Sequence, residues 1–512
     1  MTRLTRAHRV MEPPRGVRVT VATRTLPADV EEFLLGAGVI VIDGEERPAS
    51  DGGTFDAVDP ATEEPTAAVP QATPDDVDAA VAAARRAFDD GRWRDLHPTQ
   101  RVKTLLKVAD LIERDAEPLA WVDMLDHGKP QKHAYAEMLS AAACFRYFAG
   151  WVDKMYGNTI PSAADRFIYS LREPVGVCGQ IIPWNFPFLM AAWKVAPALA
   201  FGNTLVLKPA EQTPLSALWM FRLLAEAGVP PGVANLVQGV GEITGAALVA
   251  HPDVDKIAFT GSTEVGMAIM RASADHLHKV TLELGGKSPN IVFPDADIAT
   301  VAKRAAFAIF YNAGEVCTAG SRLVVDAKIH DQLLDELRVA SEKTTVGPGW
   351  DPDSRMGPVV NQKQYDRVES YVAIARAEGA ELVTGGERAD GFDRGFFYRP
   401  TVFDGVTPAM RIAQEEVFGP VLVVQTYEDE EEAIAIANST PFGLASGVWT
   451  RDLGRAHRVA RRLQAGTVWV NTWGEFSDSV SFGGYKQSGS GRELGADAIE
   501  AYTQTKHVWI AT

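Results

Sequence analysis

The sequence predicts an α/β protein built on two parallel-sheet domains, and three observations carry that prediction. From about residue 175 to 285, short β-rich runs (VGVCGQII, NTLVLK, VANLVQG, KIAFTG, KVTLEL) are separated by helix-length segments, the pattern of a parallel sheet covered on both faces. A similar alternation resumes after Pro289 and runs to about residue 470. The 512 residues are 46% apolar and 23% charged, an ordinary globular composition. At roughly 150 residues per domain, that length holds about three domains' worth of chain.

Taken in order, residues 1–30 form an extension with six arginines (Arg3, Arg6, Arg9, Arg15, Arg18, Arg24) against Glu12 and Asp29. The imbalance is that of a transit peptide, but the stretch has no serine, Pro13-Pro14 breaks any amphipathic helix and no apolar region follows, so a solvated extension is expected. Leu26 to Asp43 reads as a short helix and then the strand VIVID, followed by a turn-rich stretch with Gly52-Gly53. PDDVDAAVAAARRAFDDG opens with Thr73, Pro74 and Asp76 as cap, first-turn and capping-box residues, and Val77, Val81, Ala84 and Phe88 follow helical spacing. A second helix around residues 100 to 114 places Val102, Leu105, Ala109 and Ile112 on one face. The strand-like pieces at 156–174 and in the tail AYTQTKHVWI fall outside both alternating blocks and are expected to pair with each other or with another subunit. The acidic run EDEEE at 428–432 suits the positive end of a helix dipole.

Fifty Lys plus Arg against 67 Asp plus Glu give a formal charge of −17, which excludes nucleic acid and anionic membranes as partners. The best apolar stretch, FLMAAWKVAPALAFG, carries Lys194 and Pro197 and is too short to span a bilayer. Cys144, Cys178 and Cys317 form no disulfide framework and no metal-binding pair, so no metal is expected and a reducing, cytoplasmic setting is.

GVGEITG (239–245) has one residue too many for a dinucleotide fingerprint and is weak evidence alone. FTGSTEVG (259–266) is better placed: a strand, a glycine, hydroxyl residues and a helix start present backbone N–H groups to a phosphate. It is one of a series that occurs in order: PWNFP (183–187), KPAEQTP (208–214), FTGSTEVG, ELGGKSP (283–289), GEVCTAGSR (314–322), EEVFGP (415–420) and GGYKQSGSGRE (483–493). With these motifs the chain, from about residue 35 onward, closely resembles the aldehyde dehydrogenase superfamily.

The resemblance implies a Rossmann-like, NAD-binding domain from 31–155 and 175–285, a catalytic α/β domain at 286–487, and a small β oligomerisation element from 156–174 and 488–512. It implies that Cys317 is the nucleophile: a thiolate can add to an aldehyde, let hydride leave and persist as a thioester. Asn185 matches the residue whose amide, with the backbone N–H of the cysteine, stabilises the oxyanion. Glu283 looks like the general base that hydrolyses the thioester. Relatives that pass the acyl group to coenzyme A commonly lack it, so a free carboxylic acid is the expected product. Lys194 and Glu493 match positions proposed to pass the proton outward, with a structural ion pair as the alternative.

For the cofactor, Lys208 resembles the residue that binds the adenosine ribose. Glu211 accepts from a free 2′-hydroxyl and repels a 2′-phosphate, which favours NAD, although an NADP-preferring member stays open. Gly261 and Ser262 would meet the pyrophosphate, Glu416 and Phe418 the nicotinamide ribose and ring, and Ile182, Pro183 and Trp184 would be wall contacts. By motif position, Phe186, Met190, Trp193, Trp473, Phe476 and Phe482 should line the substrate tunnel. Such a corridor suits an apolar aliphatic or aromatic aldehyde, or a quaternary ammonium as in betaine aldehyde. No pair of arginines converges there to recognise an anionic substrate. A catalytically silent homologue would lack the cysteine, asparagine or glutamate; all three are present. The resemblance also implies self-association as a dimer or tetramer, with Gln504 departing from the glutamate of other members in the tail.

Overall fold

The computed structural model describes residues 24–511. Residues 1–23, which hold most of the Arg-rich extension, lie outside the described residues. The first large sheet has eight strands in the order Glu45–Arg47, Ile40–Ile42, Ala234–Leu236, Thr204–Lys208, Val177–Ile181, Lys256–Thr260, Lys279–Glu283 and Gly489–Ser490. From Ala234–Leu236 to Lys279–Glu283 every neighbouring pair is parallel. Thr204–Lys208 and Lys256–Thr260 are buried at every position, as strands covered on both faces must be. Chain order reverses between Val177–Ile181 and Lys256–Thr260, so the crevice beyond their carboxyl ends is where an open sheet of this kind takes its ligand. Residues 182–185 and 261–262 leave the sheet at that point.

The second sheet has seven strands in the order Glu381–Thr384, Thr401–Asp404, Val421–Tyr427, Arg322–Asp326, Pro289–Val292, Ala445–Trp449 and Thr467–Val470. All its pairs are parallel except the outermost, Glu381–Thr384 with Thr401–Asp404. Local capping chemistry agrees with the sequence. Thr73 and Asp76 close a reciprocal capping box on Pro74–Asp89, and Asp429 caps Glu430–Asn438 through the Glu432 N–H. Glu430 and Glu431 are paired with Arg458 and Arg462, so the acidic run is a solvated helix start.

Arg166–Pro174 pairs antiparallel with Thr503–Ala511 over nine residues, from Pro174 opposite Thr503 to Arg166 opposite Ala511, and Thr159–Ile160 adds a third strand. This piece is narrower than the expected 488–512. Gly489–Ser490 instead joins the first sheet beside Glu283, because Gly489, at φ 152, packs where a Cβ would lie 2.3 Å from the Leu282 carbonyl oxygen. The strand in VIVID is only Ile40–Ile42, pairing antiparallel with Leu236. GVGEITG forms a single wide turn, Gly241–Gly245, running into the short helix Ala246–Val249. Among the described residues no helix is long and apolar enough to cross a membrane, and no group of His, Cys, Asp and Glu is arranged to hold a metal.

Candidate active site

One cavity of about 1220 Å³ holds most of the residues singled out by sequence: Pro183, Trp184, Asn185, Gly261, Ser262, Glu283, Cys317, Glu416, Phe418 and Glu493 all line it. So do Phe186, Met190, Trp193, Trp473, Phe476 and Phe482. The ring centroids of Trp193, Phe476 and Phe482 lie 5.4–6.4 Å apart, forming one aromatic wall. Trp184 and Phe418 meet edge to face at 5.1 Å. Four expected residues do not line the cavity. Ile182 is buried in the core. Lys194 is fully buried, paired with Glu493 and bonded to Thr260 Oγ1 at 2.7 Å. Lys208 donates to the Pro209 carbonyl at 2.9 Å and to Glu211 Oε2 at 3.4 Å, so these two residues form a ledge beside the neighbouring Gln212, which does face the cavity.

Cys317 reaches the cavity through a strained approach. Helix Ile298–Phe310 ends, and Asn312, Ala313 and Gly314 follow with φ of 52°, 54° and 74°. Holding two non-glycine residues there costs on the order of 1–2 kcal/mol each and persists only because the surroundings over-determine it. At Gly314 a Cβ would lie 2.1 Å from the Gly419 carbonyl oxygen. The two glycines of ELGG serve the protein's own packing. A Cβ on Gly285 would lie 2.1 Å from Glu416 Oε2, and one on Gly286 would lie 2.4 Å from the Cys317 carbonyl oxygen. Their smallness makes room for Glu416 and the backbone of Cys317.

Among the ionisable groups facing the cavity are carboxyls raised by burial. Burial pushes the Cys317 thiol up to about 12, with the charges of Glu283 and Glu416 adding to the effect. Burial holds the Glu283 carboxyl well above the ordinary carboxylate range; Glu493 adds to this, and Lys194 and Arg492 oppose it. Among the described residues Glu283 Oε2 has no hydrogen-bond partner, an uncommon state for a buried carboxyl atom. Glu416 is pushed up to about 7 by burial, against the pull of the Gly286 N–H that donates to its Oε1 at 2.9 Å. Cys144 and Cys178, by contrast, are wholly buried packing residues whose thiols burial also raises.

Asn185 sits between the strand Val177–Ile181 and the helix Pro187–Ala200. Its Nδ2 donates to the Glu315 carbonyl at 2.8 Å, which leaves one N–H to give. Its own carbonyl accepts from Lys129 Nζ at 2.9 Å and from Asn312 Nδ2 at 3.0 Å. Lys129, Glu137, Asn312 and Glu315 were not anticipated from sequence. A signal was present in WVDMLDHGKP, where Asp123, Asp126, His127 and Lys129 interrupt an apolar helix end, and the structure buries all four.

At the sheet's carboxyl edge, Ser262 caps the helix Thr263–Ser273 by accepting from the Val265 N–H at 3.3 Å, and the Gly261 N–H donates to the Glu283 carbonyl at 3.0 Å. Thr263 and Glu264, the first helical residues, face the cavity, so the positive end of the helix dipole does too. A thiol, two raised carboxyls, an anchored amide and a helix N-terminus at a sheet switch point define an α/β enzyme with a dinucleotide-type cleft opening onto a cysteine.

Comparison with known proteins agrees. The model of the aldehyde dehydrogenase family matches residues 47–508. An aldehyde dehydrogenase of Aspergillus niger is 50% identical over 489 residues, covering 95% of this chain and 97% of its own. A betaine aldehyde dehydrogenase of Bacillus subtilis is 48% identical over 472 residues, 92% of this chain and 96% of its own. The solved NAD+ complex of an aldehyde dehydrogenase from Bacillus cereus superposes with a TM-score of 0.93 at 47% identity, covering 96% of this chain and 99% of that one. The chain belongs to the aldehyde dehydrogenase family.

Proposed function

We propose that the protein oxidises an apolar aliphatic or aromatic aldehyde to its carboxylic acid with NAD, through a covalent intermediate on Cys317. The observation that carries this reading is the single cavity shared by Cys317, Glu283 and Asn185 at the carboxyl edge of the first sheet. Cofactor contacts fall to the helix N-terminus after Ser262, to Glu416 and Phe418, and to the Lys208–Glu211 ledge, where a carboxylate favours a free 2′-hydroxyl. Continuity of the cavity from Thr260–Glu264 past Glu416 to Cys317 supports the fit.

Cys317 gives up its thiol proton to water as Sγ adds to the carbonyl carbon, and the oxygen that takes the electron pair is held by the Asn185 side-chain N–H and the Cys317 backbone N–H. The acceptor for the hydride that leaves the thiohemiacetal carbon is what bound NAD supplies. Glu283 takes a proton from a water whose oxygen attacks the thioester; the C–S bond breaks, Cys317 leaves as thiolate and the acid is released. A base that burial raises well above the ordinary carboxylate range is better matched to this task than an ordinary carboxylate. Glu493, held by Lys194 and facing the same cavity, is the group to receive that proton. An absorbance assay for NADH over aliphatic, aromatic and hydroxylated aldehydes tests the reading, and it fails if no aldehyde reduces either NAD or NADP.

A second reading, a betaine-aldehyde-type substrate, is favoured by Asp478. This carboxylate lines the cavity with the aromatic wall and has no ion-pair partner among the described residues, and burial pushes it up to about 6. Rings and a lone carboxylate together suit a trimethylammonium group. Asp478→Asn should lower kcat/KM for trimethylammonio acetaldehyde about tenfold while leaving its neutral tert-butyl analogue within twofold; equal effects on both would reject this second reading. Self-association is supported by the exposed edge strand Thr503–Ala511, where Trp509 is 69% exposed, and light scattering reads it directly. The three free thiols suit a reducing, cytoplasmic setting.

A further inference from the structure

Lys129 is a fully buried ammonium whose bonds converge on the backbone of Asn185. It emerges where the helix Ala116–His127 ends at Gly128, in a left-handed conformation at φ 89°. A Cβ on Gly128 would lie 2.6 Å from Pro358 Cγ and 2.9 Å from Pro60 Cγ, so this turn is pinned between two prolines. From it, Lys129 Nζ reaches Asn185 O at 2.9 Å, Glu137 Oε2 at 2.7 Å and Asp123 Oδ2 at 3.8 Å, with the Phe186 ring centroid at 4.6 Å.

We propose that Lys129 is a positioning residue for the oxyanion site, holding Asn185 by its backbone carbonyl so that its side-chain amide faces the reacting carbon; this rests on the oxyanion role assigned to Asn185 above. A carbonyl oxygen has two lone pairs, and here both are used, one by Lys129 and one by Asn312 Nδ2. Two donors from different segments fix the peptide plane, while the Glu315 carbonyl fixes the amide from the other side. The loop PWNFP has few other anchors, since Pro183 and Pro187 have no N–H to give. A buried ion pair can be replaced by apolar groups at little cost or even a gain, so stability alone is a poor reason to keep this one. Glu137 and Asp123, at 2.7 and 3.8 Å from Nζ, are the acidic partners beside which Lys129 is buried.

Lys129 acts in this account through Asn185, and a double-mutant cycle in kcat at saturating aldehyde and NAD tests that. Lys129→Met should lower kcat about tenfold when Asn185 is present, because a misplacement well under 1 Å is enough. In Asn185→Ala it should cost less than twofold, because the group it positions is gone. KM for NAD should stay within about threefold, and alkylation of Cys317 by iodoacetamide within about twofold, since neither depends on the oxyanion donor. A tenfold loss in both backgrounds, a loss in neither, or alkylation falling in step with kcat would overturn the proposal. Lys129→Met leaves Glu137 buried without its partner, so the cycle is also run with Glu137→Gln throughout, where removing Lys129 strands no Glu137 carboxylate and the same ratios are expected. If Asn185→Ala itself keeps full kcat, the oxyanion role has failed, a result distinct from a slow Asn185→Ala enzyme on which Lys129→Met acts independently.

Discussion

Gly286→Ala is the perturbation whose effect follows most directly from the geometry. The added Cβ would lie 2.4 Å from the Cys317 carbonyl oxygen, whereas ordinary contact begins at 3.4 Å, so relief requires about 1 Å of movement. Both sides of the clash are backbone. One is the segment that carries Cys317; the other follows directly on the strand Lys279–Glu283, which ends in the proposed general base. Whichever side yields, Cys317 and Glu283 change their separation. Displacements of this size cost on the order of a hundredfold in rate, or about 2.7 kcal/mol in the barrier. The assay is kcat by NADH formation at saturating substrates, with the thermal midpoint confirming the fold and iodoacetamide alkylation reporting access to Cys317. Gly38→Ala, whose Cβ would meet only the Ala68 carbonyl at 3.5 Å, is the matched control and should stay near wild type. A folded Gly286→Ala enzyme within threefold of wild-type kcat would refute the reasoning.

Asn185→Ala should reduce kcat on the order of a hundredfold or more, the 2.7–4 kcal/mol of one oxyanion donor, with Cys317 alkylation preserved. If Glu283 is the base proposed above, it acts as a carboxylate whose pKa burial raises, so kcat should fall as pH falls through a midpoint above the ordinary carboxylate range, and a pH profile of Glu283→Gln should lack that limb. Glu211→Ser removes a carboxylate that would repel a 2′-phosphate, so the ratio of kcat/KM for NADP to that for NAD should rise about tenfold or more; an unchanged ratio would remove Glu211 from the selectivity account.

Much of the fold was legible because its central strands are buried on both faces and read as continuous apolar runs punctuated by helices; Thr204–Lys208 and Lys256–Thr260 are examples. The Thr73–Asp76 capping box was legible because its chemistry lies within four residues. The motif residues converge on one cavity, but the sequence could not say what its glycines accommodate, since Gly285 meets Glu416 across 131 positions of chain. Nor could it reveal Lys129, whose bond to Asn185 spans 56 residues and follows no helical or strand period. The positive φ values of Asn312 and Ala313 were hidden for another reason: asparagine takes the left-handed region only occasionally and alanine rarely, and tertiary packing imposes it here. The return of Gly489–Ser490 to the first sheet likewise depends on a close backbone approach to Leu282 that only the folded chain creates.

The central claim is a covalent intermediate on Cys317 that Glu283 resolves. It is tested most directly by mixing Glu283→Gln enzyme with aldehyde and NAD, quenching in acid and measuring peptide mass. The account predicts one acyl group on the peptide containing Cys317, accompanied by a stoichiometric burst of NADH. An acyl group on Cys144 or Cys178, or NADH formed with no acylated peptide, would contradict it.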